Sequence, residues 1–173
     1  MLILQNKQRG ITLIELLVAI VIMAILLTVG VPSFTTWLQN TQIRTATEAI
    51  VNGLQLARAE AVRRNEQVSF ILGTGTSWEV RTVAANTLIQ SRASSEGSSN
   101  VTVAVTPPGA TTATYNELGR LVNPTTAPTQ LDLDVPAFIL PASQSRELRV
   151  EISAGGQIRS CDPLFTGDDP RKC

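Results

Sequence analysis

Residues 11–31 read ITLIELLVAIVIMAILLTVGV, an almost unbroken apolar run. At about 1.5 Å per residue, roughly 21 helical residues span about 30 Å, the thickness of one bilayer core. Lys7 and Arg9 precede the run, and basic flanks hold that side of a span in the cytoplasm. A cleaved secretory signal has a shorter apolar core with a small-x-small site after it. No such site ends this run. Pro32 comes next instead, and then the polar, helix-compatible stretch from Ser33 to Gln42. The sequence therefore predicts a membrane-crossing helix that stays attached to the rest of the chain.

Glu15 interrupts the run. A carboxylate inside an apolar span costs on the order of 2.5–3.5 kcal/mol even on the lenient insertion scale, so such a residue normally has a partner. A position near the membrane surface is the plainer reading, since Glu15 lies close to the start of the run. The surrounding string decides between them. Lys7-Gln8-Arg9-Gly10-Ile11-Thr12-Leu13-Ile14-Glu15-Leu16-Leu17 resembles the type III signal of type IV prepilins and type II secretion pseudopilins. The resemblance implies cleavage by prepilin peptidase between Gly10 and Ile11 on the cytoplasmic side, and N-methylation of Ile11. Ile11 departs from the phenylalanine usual there. Glu15 becomes the fifth mature residue, the assembly glutamate of the family, whose carboxylate pairs with the N-terminal ammonium of a neighbouring subunit. The implied partners are the inner membrane, the peptidase and other pilin or minor pilin subunits.

Pro32 removes one helical hydrogen bond and is expected to kink or locally melt the helix; pilins often carry a proline at this place. Beyond it Ala46, Ile50, Gly53, Leu54, Ala57 and Ala61 recur at three- and four-residue spacing, an amphipathic stripe suited to covering a core. Arg44 with Glu48, and Glu60 with Arg64, are opposite charges four apart. The helix is expected to end near Asn65. Short β-like runs then occupy residues 67–72, 78–84, 101–106, 111–115, 130–135, 147–153 and 156–161, separated by Gly, Pro, Ser and Asn breakers. Many short strands after one long helix predict an α+β fold, a helical spine packed on an antiparallel β-sheet head. The expected organisation is a leader over residues 1–10, a transmembrane and polymerisation helix over 11–31, its amphipathic continuation over 32–65 and a β-rich periplasmic head over 66–173.

Two further segments sharpen the resemblance: Leu56-Ala-Arg-Ala-Glu-Ala-Val-Arg-Arg-Asn65 ahead of a strand, and Gly155-Gly-Gln-Ile-Arg-Ser-Cys-Asp-Pro163. Together they look like the GspH/FimT branch, which holds pseudopilins and FimU-type minor pilins. The likeness is strong over residues 5–65 and moderate over 147–163.

The chemistry the sequence offers is narrow. The chain has no histidine, which removes imidazole-activated nucleophiles and imidazole metal ligands. Aromatic residues make up 4%, too few for a stacking platform. No cofactor, metal or catalytic residue is implied, and a membrane-anchored hydrolase has no triad to work with. Asp132 and Asp134 alternate with leucines as the polar face of a strand. Asp162, Asp168 and Asp169 lack the regular ligand spacing of a calcium loop. Cys161 and Cys173 either close a short terminal loop as a disulfide after export or remain two thiols; the disulfide is the expected state. Without the leader the chain carries 12 basic and 14 acidic residues. Some FimT-like proteins carry Gly-Arg-x-Arg and bind DNA; here the stretch is Gly156-Gln157-Ile158-Arg159. With Gln157 in place of the first arginine, Arg159 is a weak DNA-binding candidate, and nucleic acid is disfavoured as a partner. The resemblance implies a structural minor pilin that joins or primes a type IV pilus; the alternative is a GspH-like minor pseudopilin of a type II secretion system, and a FimT-like DNA receptor ranks below both.

Overall fold

The computed structural model describes residues 11–173. Helix α1 runs Leu13–Arg64. Eight strands come after it: β1 Val68–Leu72, β2 Trp78–Thr82, β3 Leu88–Arg92, β4 Thr102–Thr106, β5 Thr112–Tyr115, β6 Gln130–Asp134, β7 Leu148–Ile152 and β8 Ile158–Cys161. They form two four-stranded antiparallel sheets, in the orders β3-β2-β1-β5 and β4-β6-β7-β8. The α+β expectation holds. The chain divides into two compact units, one ending at Thr35 and one spanning Thr36–Cys173.

In the first unit the described large apolar side chains, such as Leu13 at 80% exposure, Leu26 at 67% and Val31 at 53%, stand in the open. The backbone remains helical through Pro32, so the expected local melting does not occur. Pro32 cannot donate to the preceding turn, and the Thr35 hydroxyl donates to the Pro32 carbonyl (2.8 Å).

In the second unit the helical stripe is the spine of the core. Ile43, Ala46, Ile50, Leu54, Ala57 and Ala61 are fully buried. They cluster with Val68 and Phe70 of β1, Val80 of β2 and Tyr115 of β5 from one sheet, and with Leu131 and Leu133 of β6 and Val150 of β7 from the other. The alternating burial of β2 and β6 is the pattern of strands with one face on a core. Gly53 is in the stripe for a steric reason. A Cβ there would lie 2.9 Å from Phe70 Cε2 and 3.0 Å from the Trp78 indole, so only glycine lets the rings reach the helix backbone.

The helix stops where expected. Asn65 takes a left-handed φ of 55°, its N–H donates to the Val62 carbonyl (3.4 Å), and the Glu66 N–H reaches back to Ala61 (3.3 Å). That pair of bonds is a Schellman cap, with asparagine where glycine is commoner. Both expected ion pairs form: Arg44 Nε to Glu48 (2.9 Å) and Arg64 Nε to Glu60 (2.6 Å), with Arg63 also on Glu60.

One strand was not expected. β3 reads Leu-Ile-Gln-Ser-Arg and is mostly exposed, so it lacks the alternation that identifies a half-buried strand. It forms because β2 offers a ladder, at the edge of the sheet and across a register shift at Val80 and Arg81.

Candidate functional site

The N-terminal part of α1 is the first candidate. Gly10, the expected last leader residue, lies outside the described residues. Ile11 is 76% exposed. Thr12 caps the helix: its hydroxyl accepts the Glu15 N–H (3.2 Å), and its carbonyl accepts the Leu16 N–H (3.1 Å). Thr12-x-x-Glu15 is the sequence form of a capping box, in which the acid at the third helical position also favours the positive end of the helix dipole. The three-residue spacing carries this signal in the sequence itself, where only an assembly role was expected of Glu15. The bond that forms uses the Glu15 backbone N–H, and the Glu15 carboxylate contributes by its place in the first turn. The Glu15 side chain is exposed and belongs to the first helical turn, amid residues such as Ile14 and Leu16, themselves 66% and 58% exposed.

The second candidate is the C-terminal segment. The β7–β8 register sets Glu151 opposite Arg159, and Arg159 Nη2 donates to Glu151 Oε2 (2.9 Å). The guanidinium that looks isolated along the sequence is therefore ion-paired on an edge strand. Cys161 and Cys173 form a disulfide with their Cα atoms 5.0 Å apart. The bond holds the tail beside β8, where the Asp162 N–H donates to the Arg171 carbonyl (2.8 Å) and Asp162 bridges Lys172. The tail thereby covers part of an exposed sheet edge. Glu151 lies within 4.8 Å of both sulfurs, but bonded sulfurs are not thiolate ligands.

The three aspartates do not converge. Asp162 accepts the Leu164 N–H (2.9 Å). Asp169 accepts from the backbone and guanidinium of Arg171, and the guanidinium bonds hold its carboxyl down at about 2. Asp132 pairs with Arg149 across the sheet (2.6 Å), and Asp134 accepts from the Ser145 hydroxyl and the Val135 N–H. A cleft of about 500 Å³ between helix residues Arg44 and Glu48 and the disulfide loop is also lined by Arg146, Asp162 and Arg171; Arg44 is paired with Glu48 and Arg171 with Asp169.

The family described as Type II transport protein GspH matches residues 46–156. The Prokaryotic N-terminal methylation motif matches residues 5–31. No curated protein matches. Two crystal structures of the type IV minor pilin FimU of Pseudomonas aeruginosa PAO1 are similar. They are 21% and 19% identical, with TM-scores of 0.48 and 0.49, over 68% and 70% of this chain and 86% and 97% of theirs. The GspH match covers well over half of the sequence and begins beyond the methylation motif, so the chain belongs to the GspH family of pilin-like proteins.

Proposed function

We propose that the chain is a structural minor pilin, cut after Gly10 by prepilin peptidase and methylated at Ile11. It is held in the bacterial inner membrane by residues 11–31 with its head in the periplasm. From there it is incorporated into a type IV pilus or primes its assembly. The observation that carries this reading is the first unit of α1: exposed apolar side chains with Glu15 in the first turn. Cleavage before Ile11 creates an ammonium four residues from that carboxylate. In a bundle of such helices, the ammonium of one subunit and Glu15 of the next neutralise each other where neither is solvated, and an ion lacking its partner there costs several kcal/mol. The methylation motif over residues 5–31 supports the processing step.

A second reading has its own support. The matched family is described by its place in type II transport, which favours a pseudopilin of a type II secretion system. The terminal cysteine pair and the Gly155–Pro163 segment incline the choice to the pilus. The proposed partners do not include nucleic acid; Arg159, the one cation of the Gly156–Arg159 stretch, is paired with Glu151 at the surface.

Glu15 variants test the proposal, because its capping and assembly roles respond differently. Glu15→Gln keeps a side chain suited to a capping box and loses the charge. It is expected to insert in the membrane normally and to be absent from sheared filaments, as is Glu15→Ala. Glutamine that assembles as well as the parent would reduce Glu15 to a helix cap. N-terminal sequencing of membrane-extracted protein should begin at Ile11. Deletion of the gene, scored for surface pili and secreted enzymes together, separates the two readings.

A further inference from the structure

Two buried N–H groups of the head have no acceptor among the described residues: Trp78 Nε1 and Arg92 Nη1. Strand register brings them together. Trp78 is the cross-strand partner of Arg92, and directly opposed residues of an antiparallel pair stand on one face with their Cβ atoms about 4.5–5.5 Å apart. The indole is fixed in place. A Cβ on Gly53 would lie 3.0 Å from both Trp78 Cδ2 and Trp78 Cε2, so the ring-fusion edge lies against the backbone of α1. The Phe70 ring is 5.8 Å away, centroid to centroid. Nε1 is bonded to Cε2, so its N–H emerges beside this stretch of helix. Arg92 is held by its other nitrogens. Nη2 donates to the Glu96 carbonyl, and Nε faces Glu96 Oε2 at 3.9 Å, beyond hydrogen-bond reach. The Arg92 side chain is 14% exposed and that of Glu96 63%, so a largely buried guanidinium has its counter-ion mostly in water.

Both residues border a cleft of about 390 Å³, lined by Ala49, Asn52, Leu56, Trp78, Gln90 and Arg92. Ala49, Asn52 and Leu56 share the helix face of Gly53 by their three- and four-residue spacing. Arg92 is the only charged residue of this lining, and the amides of Asn52 and Gln90 bring further donors. Trp78 and Arg92 also border a second cleft of about 300 Å³, whose lining has no residue of α1 and includes Glu79, paired with Arg81 (2.9 Å). The helix-side cleft is therefore the one that suits an anion. A carboxylate offers two acceptor oxygens to two N–H donors, and charge-assisted bonds of this kind are about twice as strong as neutral ones. The strand beside the cleft favours a carboxylate carried on a peptide. β3 is an end strand of its sheet; among the described residues no strand pairs with its other side, and such an edge accepts an extended chain. We propose that the cleft between α1 and the β2–β3 edge binds the carboxylate of an aspartate or glutamate on another protein chain laid along β3, with Trp78 Nε1 and Arg92 Nη1 donating to it. The inference concerns the head alone and holds for pilus and pseudopilus alike.

The full chain in detergent, labelled with nitrogen-15 at its two tryptophans, reports on the site directly by NMR. Trp37→Phe assigns the Trp78 indole N–H resonance by elimination. Three probes are titrated at matched ionic strength: a capped tripeptide with glutamate between two threonines, its glutamine counterpart, and acetate. The expected result is a saturable shift of the Trp78 resonance with the glutamate peptide, at an apparent affinity several times that of either other probe. Arg92→Gln should remove the preference for glutamate. A glutamine peptide that matches the glutamate peptide, or a Trp78 resonance that answers to neither, means that water serves these donors and overturns the proposal. Acetate that binds as tightly as the glutamate peptide makes the ligand a small free carboxylate and overturns the assignment to a protein chain. A folded Arg92→Gln protein that keeps the preference overturns it as well. If Arg92→Gln does not fold, the titration of the parent decides alone.

Discussion

Gly156 is the position where one added carbon should do most damage. It sits in the β7–β8 hairpin at a φ of 80°, and its N–H donates to the Ser153 carbonyl (2.8 Å). A Cβ at this residue would lie 2.2 Å from the Gly119 carbonyl oxygen and 3.3 Å from Tyr115 Cε1. Gly156→Ala carries two costs. A left-handed backbone costs a non-glycine residue about 1–2 kcal/mol. The Gly119 carbonyl must also retreat by roughly 1 Å to reach an ordinary contact, and backbone shifts of this kind are how overpacking destabilises. That carbonyl accepts from Arg58 Nε (3.0 Å), and a hydrogen bond from a charged donor is worth about 1.5–3 kcal/mol. Together the loss is about 3–5 kcal/mol. At about 2–4 °C per kcal/mol for a chain of this size, the head should melt roughly 10 °C below the parent. Gly155→Ala is the control: its added carbon would find nothing nearer than Ser153 Oγ at 3.7 Å, so it should melt within about 2 °C of the parent. Thermal melts of the full chain in detergent, monitored by near-ultraviolet circular dichroism, read both. A Gly156→Ala protein that melts with the parent would refute the claimed contact between this hairpin and the Gly119 turn.

Other outcomes depend on single groups. Tyr115 is fully buried and its hydroxyl has no partner among the described residues, so Tyr115→Phe should leave stability unchanged or raise it by up to about 1 kcal/mol. Burial also pushes the Tyr115 phenol well above its ordinary value, the Arg58 charge offsetting only part. The unfolded phenol ionises first, so parent stability should fall as pH rises past about 10, and Tyr115→Phe should remove that component of the loss. Denaturant titrations at pH 8 and pH 11 on both proteins compare them. At acid pH the Asp169 carboxyl, held down at about 2 mainly by the Arg171 side chain, should give its contribution in full above about pH 4 and lose it toward pH 2. Carbon-13 titration of that carboxyl should show a depressed midpoint that Arg171→Gln returns to the ordinary range. Opening the Cys161–Cys173 bond should cost roughly 3 kcal/mol on the chain-entropy estimate for a loop near this size. Melts with and without reductant measure it, and alkylation combined with mass spectrometry should count no free thiols before reduction.

Much of this molecule is written locally. The apolar run, the flanking cations, Glu15 and the stripe from Ala46 to Ala61 are periodic or positional signals, because a helix brings residues three and four apart together whatever surrounds it. Asn65 ends the helix where a left-handed residue was needed, and the alternation in β6 announced a strand with one buried face. Even the Thr12–Glu15 cap was present as a three-residue spacing. The features the sequence left undetermined are those that depend on neighbours distant along the chain. β3 has no buried face of its own and exists because β2 has an open edge. Arg159 looks like a spare cation until strand register places Glu151 opposite it. Gly53 and Gly156 look like ordinary glycines until Phe70 and the Gly119 carbonyl approach them. Local periodicity fixes which elements form. Register, close approach and exposure are set by contacts between distant segments, which exist only once the chain has packed.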